Sequence, residues 1–317
     1  MERTVLVVTA LEDPTADLVI TELHERGVPV TRLDPGDFPG TVRLSAEATG
    51  NGLGGRVHTP TRSLPLDGVR SVYWRRPSPY QAPPHLDAQD AQWAIDQARW
   101  GLGGVLASLP NALYVNHPWR NRDAESKPAQ LAAAHACGFR VPLTLITNDL
   151  TEARQFTARH GPVVYKPLWR GDYRAGDGTG RTIWVRAVGP HELDESVAGT
   201  AHMFQARIDK EADWRATVVG DQVFCVRIDS EGGPLDWRAD YDRLSYSVVT
   251  PPDGIVDAVR LFLRRFDLLF GCFDFAVAKD GTPYFLELNP NGQWSWINET
   301  RVGITAALAD LLQKGQP

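Results

Sequence analysis

Three residues of the stretch 271–294, GCFDFAVAKDGTPYFLELNPNGQW, carry oxygen donors at a spacing suited to a hard cation: Asp274, Glu287 and Asn289. Two alternating apolar runs flank Lys279-Asp280-Gly281-Thr282, which reads as a β-hairpin with a Gly turn. Glu287 and Asn289 are two apart and face the same side of one strand, and Asp274 lies across the hairpin. Carboxylate and amide oxygens, completed by water and phosphate oxygens, suit Mg²⁺, so the hairpin is a candidate seat for a Mg-nucleotide. A surface hairpin with polar ends would carry the same residues, so the rest of the chain has to decide.

Two further features point to phosphate. Lys166 ends the Val-rich run Val163-Val164-Tyr165-Lys166-Pro167, where a lysine is costly unless an anion meets it. The stretch 169–181 that follows holds Arg170, Arg174 and Arg181 among glycines, so backbone amides can close over phosphates. Its spacing is not that of a Walker A loop, and a hairpin tip has the same composition. Further on, Asp213 and Arg215 share one strand face, and Arg227 and Arg238 come after them. A group of guanidinium ions suits a γ-phosphate and a substrate carboxylate, the alternative being surface ion pairs worth little each. Arg75 and Arg76, set among Tyr73, Trp74, Pro77 and Tyr80, read as an exposed strand end with the composition of a binding hot spot, where Arg can fork onto a carboxylate. A Pro-stiffened connection sealing the sheet edge would look alike.

The elements that position these groups read as α/β. Runs at 4–10 and 28–33 are strands, and apolar residues at helical spacing between them, closed by Gly27, make a βαβ unit with a parallel sheet. No Gly-x-Gly-x-x-Gly follows the first strand, so a dinucleotide fingerprint is absent. Residues 40–70 predict a strand pair covering the sheet edge, and the sheet resumes at 69–74. The segment 87–109 predicts a long helix with Trp93, Ile95, Ala98, Leu102, Val105, Leu106 and Leu109 on its apolar face. A strand at 111–115 precedes a boundary near residue 120. One helix is then expected from about 122 to a cap at Gly138, followed by a strand at 141–147, a helix at 149–160 and strands at 163–167 and 182–187. Strands at 203–208, 216–219 and 222–228 lead to helices at 254–266 and 300–312, which bracket the metal hairpin.

Composition narrows the classes. The chain has 317 residues, 43% of them hydrophobic, enough for two or three compact units, and its net charge of −6 offers no basic surface for a nucleic-acid partner. Cys137, Cys225 and Cys272 are far apart among apolar residues, without zinc or disulfide spacing. No stretch reaches the roughly 18 apolar residues of a membrane span, so a soluble, cytoplasmic protein without a membrane partner is expected.

The ordered set Lys127, Lys166, the glycine-rich loop, the hinge Gln205-Ala206-Arg207-Ile208, Asp213-x-Arg215, and Asp274 with Glu287-x-Asn289 resembles the ATP-grasp ligases over about residues 116–317. More narrowly, Tyr-Trp-Arg-Arg-Pro at 73–77, Val-Pro-Leu-Thr-Leu-Ile-Thr at 141–147 and Glu-Leu-Asn-Pro-Asn-Gly-Gln-Trp at 287–294 are similar to the ATP-grasp peptide maturases that make graspetides, the microviridin-type macrocycles. The resemblance implies an α/β ATP-grasp fold: a pre-ATP-grasp domain over 1–119 with a parallel sheet, a central domain over 120–200 and a C-terminal grasp domain over 201–317. It implies that Lys127 and Lys166 contact the α- and β-phosphates, that the backbone at Ala206 and Ile208 reads adenine, and that Asp213, with Glu211 as its competitor, takes the ribose. Asp274, Glu287 and Asn289 would hold two Mg²⁺, and Arg215, with Arg227 or Arg238, would offset charge on the transferring phosphoryl group. Where many relatives carry an acid in the hinge, this chain has Ala206-Arg207. The implied activity activates Asp or Glu side chains of a ribosomal precursor peptide as acyl phosphates and closes ω-esters or ω-amides with Thr, Ser or Lys, with Arg75 and Arg76 as candidates for holding the leader. A homodimer is implied, with the 87–109 helix as candidate interface. Two other readings remain: a ligase of small amines to carboxylates with the same phosphate machinery, and a nucleotide-binding scaffold without turnover.

Overall fold

The computed structural model describes residues 3–50, 52–169, 173–174, 176–177, 179–181, 183–230 and 243–315. Its first strand, β1 (Thr4–Val8), is an apolar run buried along its whole length, as a central parallel strand covered on both faces must be. The chain leaves it through Asp13, whose carboxylate accepts from the Thr15 and Ala16 amides and so caps helix α1 (Pro14–Glu25). Strand β2 (Val30–Leu33) then pairs parallel with β1, closing the expected βαβ unit.

Instead of a strand pair at 40–70, three antiparallel strands follow, β3 (Arg43–Thr49), β4 (Gly52–His58) and β5 (Ser63–Pro65), in a sheet of their own. Val57 and Leu64 of this sheet share a core with Leu6, Val8 and Leu33, which is why it stays on the molecule. Strand β6 (Val69–Trp74), helix α2 (Ala88–Leu106) and strand β7 (Leu113–Val115) complete a parallel sheet in the order β2-β1-β6-β7. Only Ala98, Leu102 and Leu106 of α2 are buried, and Trp93 and Trp100 are 66% and 69% exposed. Trp93 therefore does not belong to the core face expected of it.

Two helices replace the single one expected before Gly138. Helix α3 (Pro118–Ala124) crosses the boundary expected near residue 120, and α4 (Lys127–Ala136) begins after Glu125-Ser126 with Pro128 in its first turn. A proline has no N–H to continue an existing ladder but is at home where a helix starts, so the helix restarts there. Strands β8 (Thr144–Thr147), β9 (Val163–Lys166), β12 (Arg186–Val188) and β13 (His202–Ala206) make the second sheet, ordered β12-β9-β13-β8, with helix α5 (Leu150–His160) against it. Between β9 and β12, the short strands β10 (Tyr173–Arg174) and β11 (Gly180–Arg181) form a hairpin.

The third sheet is antiparallel: β14 (Lys210–Val219), β15 (Gln222–Ser230), β16 (Leu244–Val248), β17 (Phe270–Ala278) and β18 (Pro283–Asn289), in the order β16-β15-β14-β17-β18. One face packs on α4 and on α6 (Asp253–Arg265) through Phe139, Phe262, Phe273, Phe275 and Phe285, with Phe139 stacked on Phe285 at a centroid distance of 5.0 Å. The last helix, α7 (Asn298–Lys314), returns to the N-terminal sheet: Ile304, Leu308 and Leu312 share a core with Val5, Val7 and Val19, and Ser71 Oγ donates to Leu312 O at 2.7 Å. Val219, Phe270 and Trp294 enter the same core, so the first and last segments of the chain are packed as one. Among the described residues no helix is long and apolar enough to cross a membrane.

Candidate active site

The hairpin β17–β18 turns through Gly281, whose φ of +80° is open to glycine and strained for other residues. Its register pairs Asp274 with Glu287, and β14 pairs Arg215 with Asp274, so the three stand in a row across three adjacent strands. An irregularity between Asp274 and Phe275 leaves Leu286 without an opposite partner, since Phe275 faces Phe285. This inserted residue changes the side-chain parity of β18. Phe285 and Leu288 enter the aromatic core, while Glu287 and Asn289 turn to the other side with Asp274.

The expected metal set does converge. Asn289 Nδ2 lies 3.2 Å from Asp274 Oδ2 and 3.5 Å from Glu287 Oε1. As placed, the amide N–H group bridges the two carboxylates; a flip of the amide presents Oδ1 to the same point. Two carboxylates and an amide oxygen are the hard donor set that Mg²⁺ takes from a protein before water and phosphate complete its shell, so these residues fit the ion. Among the described residues no group of three or more His, Cys, Asp or Glu is arranged to hold a metal.

Cations surround this set. Arg215, 5% exposed, donates from Nη1 to Asp274 Oδ1 at 2.6 Å and from Nη2 to Gln293 O at 2.8 Å. Lys127 Nζ lies 3.3 Å from Glu287 Oε2, and Lys210 Nζ pairs with Asp213, which is itself buried. Each buried charge thus has a counter-charge, which offsets its desolvation. Helix α4 delivers Lys127 because Gln130, one turn on, clamps the outer strand: its amide donates to Leu288 O at 2.9 Å and its carbonyl accepts from Leu288 N at 2.8 Å.

The second and third sheets close on a cleft whose lining includes Lys127, Lys166, Gln205, Ile208, Asp213 and Glu287. The two lysines, the hinge and the metal carboxylates expected from sequence therefore meet at one place. In the hinge, Gln205 is buried with its amide donating to Thr144 Oγ1 at 2.9 Å. Ala206 N donates to Leu143 O at 2.8 Å and Arg207 N to Pro162 O at 2.9 Å, so both N–H groups are committed to the sheet. Ile208 O accepts from Lys210 N at 2.9 Å, and the Ile208 N–H takes no part in these bonds.

Three expectations are corrected by position. Arg227 stands opposite Trp214, on the sheet face away from Arg215 and Asp274, and is held by Glu211 at 2.9 Å and Asp229 at 2.8 Å. Glu211 is left out of the β14–β17 register by an irregularity between Lys210 and Ala212, and it points to Arg227, so Asp213 alone of the two acids lines the cleft. Arg227→Ala is accordingly expected to leave ATP turnover close to wild type, checked by ADP release; a loss comparable to that of an Arg215 variant would return Arg227 to the site. Arg238 lies outside the described residues, as does part of the glycine-rich stretch 169–181.

Arg75 is the third. It is 2% exposed, with Nη1 on Asn291 O at 2.6 Å, Nη2 on the Gln293 side chain and Nε 3.5 Å from Asp13 Oδ2. An exposed strand end was expected because the countercharge, Asp13, is distant in sequence; in the fold β1 and β6 are neighbours and bring the two together. Arg75 thus ties the first sheet to the loop after Asn289. Breaking such a buried pair typically costs about 3–5 kcal/mol. Arg75→Ala should therefore lower the thermal midpoint by several degrees, measured by calorimetry, and an unchanged midpoint would refute the bracing role. Arg76, by contrast, is exposed and lines a second cleft with Lys127, Trp169, Glu287, Asn289 and Asn291. The two clefts share Lys127 and Glu287.

Sequence reasoning missed Lys210, Gln130, Gln293 and Asn116. Asn116 is buried, donating to Phe270 O and Pro290 O and accepting from the Leu269 and Phe270 amides at 2.9–3.1 Å, so it fastens both strands of the metal hairpin at their ends. Lys210 stands three residues before Asp213, a spacing that joins side chains only because of the irregularity in β14.

Comparison with known proteins adds a family. The domain described as "MvdD pre-ATP grasp domain" matches residues 4–122. A RiPP-associated ATP-grasp ligase from Chryseobacterium gregarium, solved with ADP and a leader and core peptide, superposes with a TM-score of 0.90 at 27% identity, over 98% of this chain and 96% of that one. The chain has the fold and the N-terminal domain of the ATP-grasp peptide maturases. Macrocyclase MdnC from Microcystis aeruginosa MRC, bound with precursor peptide MdnA, is similar to this chain with a TM-score of 0.87 at 26% identity, over 98% of this chain and all of that one. Among curated sequences, a glutathione synthetase from Ralstonia nicotianae is 30% identical over 107 residues, 34% of this chain; the match spans only 28% of the synthetase.

Proposed function

We propose that the protein uses ATP to activate Asp or Glu side chains of a ribosomal precursor peptide and joins them to Thr, Ser or Lys side chains as ω-ester or ω-amide rings. The observation that carries this reading is the meeting of Asp274, Glu287 and Asn289 with Arg215, Lys127 and Lys166 beside a second, open cleft. The first cleft would take the nucleotide: Ile208 N–H on adenine, Asp213 on the ribose, and Lys127 and Lys166 on the α- and β-phosphates. Asp274, Glu287 and Asn289 would hold Mg²⁺, which when bound supplies charge neutralisation on the phosphates.

In the first step a peptide carboxylate oxygen attacks the γ-phosphorus and ADP leaves. The protein's contribution is positioning and charge, as expected for phosphoryl transfer. Arg215, paired with Asp274, would stabilise the transferring group. Arg215 and Lys127 pair with the carboxylates of Asp274 and Glu287. With Mg-nucleotide bound, phosphate would be the partner of the two cations and the metal that of the carboxylates, so no buried charge would be left alone. In the second step the acceptor attacks the acyl carbon, phosphate leaves, and the ring closes without an enzyme nucleophile.

The peptide would approach through the second cleft, where Arg76 offers a fork to a carboxylate. Arg76→Ala should weaken precursor binding several-fold at unchanged ATP affinity, both measured by titration calorimetry; unchanged precursor affinity would remove Arg76 from that surface. A second copy of the chain would cover the exposed Trp93 and Trp100 of α2 in a cytoplasmic homodimer.

The test of the activity is the intact mass of a precursor incubated with enzyme, ATP and Mg²⁺. Each ring removes the mass of one water, and only with ATP present. The likeness to a glutathione synthetase over 107 residues favours one other reading, ligation of a small amine to a carboxylate. An unchanged precursor mass, with ADP formed when free amino acids are supplied, would select it.

A further inference from the structure

Glu125 ends helix α3 and lines the second cleft, two residues before Lys127. The other carboxylates near the reaction centre are committed: Asp274 to Arg215, Glu287 to Lys127, Asp213 to Lys210 and Glu211 to Arg227. Among the described residues the Glu125 carboxylate has no hydrogen bond or ion pair. Among the described residues, Glu125 and Glu287 are the acids that line the second cleft. We propose, on the basis of the ligase reading above, that Glu125 is the general base of the second step and that the acceptor it serves is a side-chain hydroxyl.

The need for a base argues for a hydroxyl. Arg76 and Lys127 balance Glu125 and Glu287 in the lining, so the charge of the cleft does not by itself choose between a lysine ammonium and a neutral hydroxyl. A hydroxyl is a weak nucleophile until its proton is drawn off, so it needs a base that an already neutral amine does not. Loss of hydration between the cleft walls pushes the Glu125 carboxyl above the ordinary Glu range, and nearby Lys127 draws it back. A raised carboxyl is a better proton acceptor, and the opposing lysine favours its ionised form.

The step balances as follows. The acceptor oxygen forms a bond to the acyl carbon, its proton passes to a Glu125 oxygen, and the bond from acyl carbon to phosphate oxygen breaks. Inorganic phosphate leaves with that electron pair, and Glu125 later returns its proton to water. The product is an ω-ester.

Hydroxylamine separates the two steps, because it attacks an acyl phosphate without a base and leaves a hydroxamate on the peptide. With Glu125→Gln, a Thr-bearing precursor, ATP, Mg²⁺ and hydroxylamine, hydroxamate should form as in the wild type while ring closure falls by about 10²–10⁴-fold, the usual worth of a positioned base. Glu125→Asp should recover part of the rate. Ring closure by Glu125→Gln at close to the wild-type rate would overturn the proposal, as would loss of hydroxamate and ring together. Absence of hydroxamate in the wild type would overturn the ligase reading itself and the proposal with it.

Discussion

Glu287→Gln is expected to lower ATP turnover on the precursor by roughly 10³-fold or more while the protein folds and binds peptide as before. Gln has the shape of Glu, so β18 and its Leu286 irregularity are undisturbed. What is lost is charge at the point where Asp274, Glu287 and Asn289 converge, and removing one fixed electrostatic group from a preorganised site commonly costs about 10²–10³-fold, more where a metal is lost with it. Stability should fall by less than in an Arg215→Ala variant, because Gln keeps an amide oxygen beside Lys127, whose side chain is 17% exposed. ADP release at saturating ATP gives the rate, and titration calorimetry gives the peptide affinity. Ring formation at the wild-type rate would remove Glu287 from the metal set.

Arg215→Ala should fail in two ways at once. The side chain lies between Asp274 and the Gln293 carbonyl, and Asp274 is only 4% exposed, so truncation takes the Arg215 cation away from a buried carboxylate. That typically costs about 3–5 kcal/mol, read as a fall in thermal midpoint of several degrees. Mg²⁺ with ATP should raise the midpoint of this variant more than that of the wild type, since the metal takes over the charge of Asp274. Ring formation should be lost even where the variant is folded and peptide-bound. Arg215→Lys keeps the charge but not the fork that reaches Asp274 and Gln293 together, so it should recover stability more than rate. A midpoint and a rate both at wild-type values in Arg215→Ala would contradict the assignment. Space around the guanidinium is fixed as well: a Cβ added at Gly292 would lie 2.9 Å from Arg215 Nη2 and 2.5 Å from Cys272 Cβ, so only glycine lets the loop pass so close.

Much of this site was legible in the sequence because its signals are local. The alternating runs around Lys279-Asp280-Gly281-Thr282 gave the hairpin, and the cost of a lysine at the end of a Val-rich strand singled out Lys166, which lines the first cleft. What escaped depends on contacts between distant segments or on single inserted residues. Alternation places Phe285 and Glu287 on one face; Leu286 separates them, and nothing in the alternating pattern announces the insertion. The same kind of irregularity sends Glu211 to Arg227 and leaves Asp213 with Lys210. Strand parity could have warned against Arg227, since in the hairpin register it opposes Trp214 rather than Arg215. Arg75 looked exposed because its partners, Asp13 and the 291–293 loop, come from either end of the chain. The N-terminal sheet and α7 share a core for the same reason, a packing that no linear pattern shows.

The central claim, that a peptide carboxylate is activated as an acyl phosphate, is tested most directly by following its oxygen. A precursor whose Asp and Glu side chains carry heavy oxygen would be cyclised with ATP and Mg²⁺, and the released phosphate examined by mass spectrometry. Attack of the carboxylate on the γ-phosphate predicts one heavy oxygen in the phosphate for each ring closed. Rings formed with unlabelled phosphate would contradict the account.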